Sequence, residues 1–183
     1  MTCIVAVKKK GKIVMGCDGF CGDSYTQTKE DCVKIVEKDD FLLGISGSAL
    51  NMQILDLLWE LPERGVKDTD YSYVLKKLVP SIKMVLEKNN ATIKKDDKIY
   101  SSLHAIFIYM DKIYCLGTDF CCLEMGNFAA EGSGTYHALG ALEAIYNTNR
   151  SAREITEKAL NVASKFVNTV NNNFTFKEID IEN

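Results

Sequence analysis

No run of apolar residues in this 183-residue sequence approaches the roughly 18 that a bilayer-crossing helix needs, so the reading contains no helical membrane span. No charged and then apolar leader precedes the first apolar segment, which predicts a cytoplasmic protein. Histidine is limited to His104 and His137, and the seven cysteines nowhere form a C-x2-C knuckle: Cys17 and Cys21 are spaced C-x3-C, and Cys121 adjoins Cys122. A structural zinc is therefore not expected. An odd cysteine count in a reducing compartment predicts buried, reduced thiols and no disulfide framework. There is no G-x4-G-K-[ST] stretch, hence no phosphate-binding loop for ATP. Lysine and arginine number 22 against 25 acidic residues, for a net charge of -3, and they are scattered, which argues against a nucleic-acid groove. Low-complexity and repeated segments are missing too.

What is present is 46% hydrophobic, enough for one well-packed domain over residues 1–183. Thr2 to Val7 and Ile13 to Cys17 read as strands joined by a Lys/Gly hairpin tip. A short strand from Val33 to Val36 would pair with the apolar run Phe41 to Ser46. The period then becomes helical from Leu50 to Leu61, stopping at Pro62, and again from Tyr71 to Leu86, where Pro80 should kink or break the helix. Asn89 to Lys98 is polar and reads as a connection. Leu103 to Tyr109 and Lys112 to Gly117 form a hairpin turning at Met110-Asp111, and a closing strand is expected from Leu123 to Ala130. Helices follow at Thr135 to Tyr146 and Ser151 to Val167, the second opening on a Ser151/Glu154 capping box. Phe174 to Ile181 is a last strand. Paired helices between groups of antiparallel strands predict an α+β fold: two antiparallel sheets face to face, with a helix pair on each outer side, a four-layer αββα sandwich.

The chemistry concentrates near the start. Methionine aminopeptidases remove Met1 when the next side chain is small, and removal would leave Thr2 with a hydroxyl and a free amine on one residue. A threonine hydroxyl needs a base, and an α-amine titrating near 7.7–8.0 can serve as one. Asp18 ends the strand Val-Met-Gly-Cys-Asp, and Lys34 lies between Val33 and Ile35. An ammonium among apolar neighbours needs a carboxylate partner, and Asp18 is the candidate. Gly44-Ile45-Ser46-Gly47-Ser48 and Glu131-Gly132-Ser133-Gly134-Thr135 each join a strand to a helix, the kind of junction whose free amides stabilise a developing oxyanion.

Taken together, Thr2-Cys3-Ile4-Val5-Ala6-Val7, Gly16-Cys17-Asp18-Gly19, Lys34, Gly44-Ile45-Ser46-Gly47, Gly132-Ser133-Gly134 and Ser151-Ala152-Arg153-Glu154-Ile155 resemble the proteasome β-type family of N-terminal nucleophile hydrolases, on its bacterial HslV (ClpQ) side. The resemblance runs over nearly the whole chain. It implies Thr2 as nucleophile, Lys34 favouring its deprotonated form, Asp18 orienting Lys34, the Gly47 amide as oxyanion donor and Ser133 beside the terminal amine. It also implies Ile45 and Thr28 at the substrate pocket, with apolar residues preferred before the cut. No cofactor is required for the peptide-bond chemistry. The resemblance allows a structural sodium ion on backbone oxygens near Ser164, Val167 and Val170.

The same resemblance implies a homo-oligomeric double ring, most simply a dodecamer, fed with unfolded polypeptides by an AAA+ unfoldase of the HslU type. Two other functions fit such a chain: a proteasome-like ring subunit that cleaves nothing, and a non-proteolytic amidohydrolase of the same fold. The chain departs from the family pattern at Cys3, where Thr or Ser is common, and at Cys17, where many members have Gly. The loop from Gly19 to Glu30 keeps little HslV wording beyond Thr28-Lys29. In Ser164 to Asn171 the supporting Asp and Ser of proteasomes are not recognisable.

Overall fold

Two strands joined at a lysine-rich tip begin the fold. In the computed structural model, which describes residues 2–22, 26, 28, 32 and 34–181, β1 (Cys3–Lys9) and β2 (Lys12–Asp18) pair antiparallel, with Ile4 opposite Cys17 and Lys9 opposite Lys12. Lys10 and Gly11 take φ values of 52° and 75°, the left-handed pair whose twist matches the strands it joins. Met1, Lys29, Glu30 and Val33, used in the sequence reading, lie outside the described residues.

Alternation along β1 explains why the core starts at once. Cys3, Val5 and Val7 pack outward with Ala138, Ile155 and Ala159 of α4 (Thr135–Ile145) and α5 (Ala152–Phe166), while Ile4 and Ala6 point the other way, against Met15, Leu42 and Ile106. All five β1 residues from Cys3 to Val7 are fully buried. Each Val or Ile so placed contributes about 1.5–3 kcal/mol. A strand buried on both faces has no polar side to display, hence the unbroken apolar run.

The first sheet has the order β10-β1-β2-β11, with β10 at Phe128–Gly132 and β11 at Phe174–Asp180. The second runs β3 (Ile35–Lys38), β4 (Phe41–Gly47), β7 (Leu103–Tyr109), β8 (Lys112–Leu116), β9 (Cys122–Glu124). Its outer face carries Phe41, Leu43, Ile45 and Phe107 against Ile54 and Leu55 of α1 (Ala49–Leu57) and Ile82 of α3 (Val79–Lys88). Helices, sheet, sheet, helices: this is the αββα sandwich the element order predicts. No helix among the described residues is long and apolar enough to cross a membrane.

Several local expectations change. The helix expected to run to Leu61 ends at Leu57, and Trp59 turns back into the core, its indole donating to Ser81. Pro80 does not break the next helix. A π-helical turn (Val74–Leu78) follows α2 (Asp70–Tyr73) and leads directly into α3, with Pro80 its second residue. The wider turn takes up the missing amide and relieves the ring's clash with the preceding turn. The polar connection Asn89 to Lys98 contains half a hairpin, β5 (Thr92–Lys95) paired with β6 (Lys98–Ser101), turning on Asp96 and Asp97 at φ 49° and 58°. The single strand expected from Leu123 to Ala130 is divided: β9 belongs to the second sheet and β10 to the first, because the chain crosses between sheets at Met125 to Asn127. Finally, Cys21 and Cys32 form a disulfide, against the expectation that all cysteines stay reduced. The two cysteines are 11 positions apart, and no periodicity in the sequence signals that their segments meet.

Candidate active site

One end of the sandwich gathers the polar residues that the sequence scattered. Pairing of β1 with β10 sets Cys3 opposite Gly132, so the next residue, Ser133, lies beside Thr2. The Thr2 N–H donates to Ser133 Oγ at 3.2 Å, and Ser133 Oγ donates to the Thr2 carbonyl at 3.2 Å. Having spent its one proton, the Ser133 oxygen accepts from Thr169 Oγ1, 3.0 Å away. Gly132 has φ of 100°, and a Cβ there would stand 2.2 Å from the Thr2 carbonyl oxygen, so only glycine lets β10 come this close.

Asp18 ends β2 wholly buried and is saturated by donors. Its Oδ1 accepts the Cys3 N–H at 2.7 Å and Lys34 Nζ at 3.0 Å; its Oδ2 accepts the Phe20 N–H at 3.0 Å and the Asn171 N–H at 3.4 Å. The lysine side chain is 1% exposed. An ion pair this dry is tolerable only when the remaining lone pairs are satisfied, and the three backbone amides do that. Because Lys34 and the Cys3 amide share one carboxylate oxygen, the ammonium is held next to the start of β1 at Cys3, the residue after Thr2. Residue 34 is fixed from the other side by its carbonyl, which accepts from Ile45 N at 2.8 Å.

Beside this cluster opens a cavity of about 270 Å³ lined by Phe20, Cys21, Gly22, Cys32, Lys34, Gly47, Ala49, Met52 and Gln53. Gly47 ends β4 with φ of 121°, and a Cβ on it would overlap the Ser102 carbonyl at 1.8 Å, so the wall is bare backbone there. Ile45 does not line this cavity. It is fully buried and lines a smaller cavity of about 110 Å³ that shares Lys34, Met52 and Gln53 with the first. Thr28 is exposed, with its N–H and hydroxyl both on the Cys21 carbonyl, at 2.8 and 3.0 Å. It supports the loop next to the cavity and is not part of the lining.

Cysteine at positions 3 and 17 does not introduce a competing nucleophile. Burial, and then the Asp18 charge, push the Cys3 thiol up to about 12; burial lifts Cys17 to about 12 as well. Both remain neutral thiols, and thiolate is the reactive form. Thr169 and Asn171 are the residues the sequence hid. They lie in the Ser164 to Asn171 stretch that carried no recognisable pattern, and only the path of the chain after α5 brings them to Ser133 and Asp18. The sodium ligands implied by resemblance fall in the same stretch. Ser164 is in the last turn of α5, whose carbonyls have no following turn to accept from, and Val167 caps it while accepting from Val170 N at 3.1 Å. Neutral carbonyl oxygens suit a hard monovalent cation.

Glu131 adds a second polar contact at this end. It pairs with Ile4 across β10 and β1, and His104 pairs with Ser46 across β7 and β4; the two side chains meet with His104 Nδ1 3.7 Å from Glu131 Oε2. Burial raises the Glu131 carboxyl above its ordinary value, with His104 opposing.

Residues 1–179 match the family described as proteasome subunit. The chain is similar to the ATP-dependent protease subunit HslV of Syntrophobacter fumaroxidans, at 31% identity over 97% of this chain and 96% of that protein. Among solved structures it is similar to Thiobacillus denitrificans BPH in complex with epoxomicin, with a TM-score of 0.83, 19% identity and all of both chains covered. It is also similar to the eukaryotic HslV of Trypanosoma brucei, with a TM-score of 0.71, 16% identity and 98% and 99% of the two chains covered. With the β1 start, the buried Asp18–Lys34 pair and the serine junction of β10 all in place, the chain belongs to the proteasome subunit family, as an HslV-like member.

Proposed function

We propose that this chain is the threonine peptidase subunit of a ring-shaped, ATP-dependent protease and cuts unfolded polypeptides with Thr2 once Met1 is removed. The observation that carries this reading is the convergence on one strand start of Ser133, Thr169 and the Asp18–Lys34 pair, beside a cavity whose wall includes Gly47. Two hydroxyls, a carboxylate and an ammonium, from four parts of the chain, meet where a nucleophile would need them.

Removal of Met1 turns the Thr2 N–H into an amine at the same position, next to Ser133. In its neutral form the amine takes the proton from Thr2 Oγ1, directly or through a water, as that oxygen attacks the peptide carbonyl. Lys34 lowers the cost of negative charge on the threonine oxygen. The carbonyl oxygen becomes an oxyanion, for which the backbone N–H of Gly47 is the donor. Collapse breaks the C–N bond, with the amine's new proton passing to the leaving nitrogen and an ester remaining on Thr2. Water then attacks the ester with the amine as base, and Thr2 Oγ1 recovers its proton. The chemistry uses only this chain's groups. A structural sodium ion on carbonyls of Ser164, Val167 and Val170 would brace the turn that presents Thr169.

Met52 on the cavity wall and Ile45 in the adjoining smaller cavity support a preference for apolar residues before the cut. Likeness to a subunit named as part of an ATP-dependent protease supports an HslU-type AAA+ partner. The reading is tested by intact mass and by epoxomicin: loss of Met1 and one adduct, mapped to Thr2 and missing in Thr2→Ala, are expected. Retained Met1 with no adduct would leave a ring subunit that cleaves nothing.

A further inference from the structure

We propose that the Cys21–Cys32 disulfide is a redox-controlled wall of the substrate pocket, so that peptide binding follows the state of this one bond. The inference rests on the reading of the cavity as the pocket of a peptidase. Both cysteines line the cavity together with Lys34, Gly47 and Met52. Their positions in the chain matter as much. Cys21 lies three residues after Asp18 and Cys32 two residues before Lys34, so the covalent bond and the buried ion pair tie together the same two segments.

The two ties differ in what can undo them. The ion pair is dry and held by three further amides on Asp18, whereas both disulfide cysteines are partly exposed. The neighbouring thiols Cys3 and Cys17 are fully buried. A small dithiol therefore reaches the bond between residues 21 and 32, and the buried free thiols are shielded from exchanging with it. Its thiolate attacks one sulfur, releasing the other cysteine and giving a mixed disulfide; its second thiol then attacks the dithiol's own sulfur in that mixed disulfide and displaces the cysteine still bound. Two electrons and two protons pass to Cys21 and Cys32, and the dithiol leaves as its cyclic disulfide. The contacts that then remain on the wall among the described residues include the Cys32 N–H on the Gly19 carbonyl at 3.2 Å and the Thr28 N–H and hydroxyl on the Cys21 carbonyl. Asp18, Lys34, Ser133 and Thr2 keep every contact described above, so reduction acts on binding, with little effect on bond cleavage. In reducing compartments disulfides are characteristically transient and redox-sensing, which is the behaviour this placement suits.

The test uses assembled, Met1-processed protein with and without dithiothreitol, the bond's state being verified by thiol trapping and peptide mapping. Reduction should raise KM for a fluorogenic peptide with an apolar residue before the cut at least about five-fold and leave kcat within about two-fold. Cys21→Ser and Cys32→Ser should each show the reduced behaviour in both buffers, while Cys121→Ser should keep the wild-type response. Hydrogen exchange at Phe20, Gly22 and Ala49 to Gln53 should quicken on reduction of wild type and stay constant in Cys32→Ser. An unchanged KM after verified reduction overturns the proposal, as does trapping that finds both thiols free in oxidising buffer. A protein that neither cleaves nor binds epoxomicin in either state overturns the peptidase reading instead; the wall is then decided by exchange alone, and equal rates sink it.

Discussion

Lys34 is the residue on which the proposed chemistry turns. Removing a preorganised charge costs about 100-fold or more in turnover, so Lys34→Ala should be nearly inactive. Lys34→Arg should be as poor, because a planar guanidinium does not fit where an ammonium meets a single carboxylate oxygen. Both should still assemble and lose Met1; rings of Lys34→Ala with near-normal peptide turnover would show the assignment to be wrong. Thr169→Val removes one hydrogen bond to Ser133, about 1 kcal/mol or roughly five-fold, and should appear in kcat with KM unchanged. Glu131 gives a pH prediction. Its carboxyl is raised in the fold, so the folded chain holds that proton more tightly than the unfolded chain. Its contribution to stability is complete below the ordinary value of 4.5 and declines as pH rises through the folded value. Melting temperatures of wild type and Glu131→Gln across that window should therefore diverge, wild type losing ground as pH rises. Parallel curves would remove Glu131 from the account.

At the scale of elements, α5 is the helix whose start could be read and whose end could not. Ser151 accepts from the Glu154 N–H while Glu154 accepts from the Ser151 N–H, the reciprocal cap its sequence announces. Ser151→Ala should cost about 1 kcal/mol in urea unfolding. The Ser151 backbone N–H, and then its hydroxyl, lower the Glu154 carboxyl, so the cap's contribution is present above 4.5 and is lost as pH falls through the folded value. The turn after α5 has no such signature, yet it delivers Thr169 and Asn171 to the site. The β5–β6 hairpin is hidden in the sequence for a related reason: Asp96-Asp97 adopts the left-handed turn that Asn-Gly usually signals, and a hairpin whose outer side chains are solvated shows no apolar alternation.

For the molecule as a whole, large apolar side chains remain in water: Leu57 is 74% exposed, Tyr136 87% and Phe166 71%. Sedimentation should find a large closed ring assembly, most simply two stacked hexamers, with the apolar helical faces between copies. A strict monomer at micromolar concentration would contradict it, since a lone subunit encloses no chamber.

The sequence by itself determined the layered fold, because burial on both faces writes continuous apolar runs such as Cys3 to Val7, and helical periods write the flanking layers. It also nominated Thr2, Asp18, Lys34, Gly47 and Ser133, each at a strand end or junction with a local reason to be unusual. Only tertiary structure decided how they meet. The Cys3–Gly132 register set Ser133 on Thr2, and the sharing of one Asp18 oxygen tied Lys34 to β1. Crossing between sheets divided one expected strand into two. Cys21 and Cys32 were brought together by the same two segments that carry the ion pair. These are contacts between segments far apart in the chain. Periodicity records which face of an element is buried and says nothing of what is buried against it.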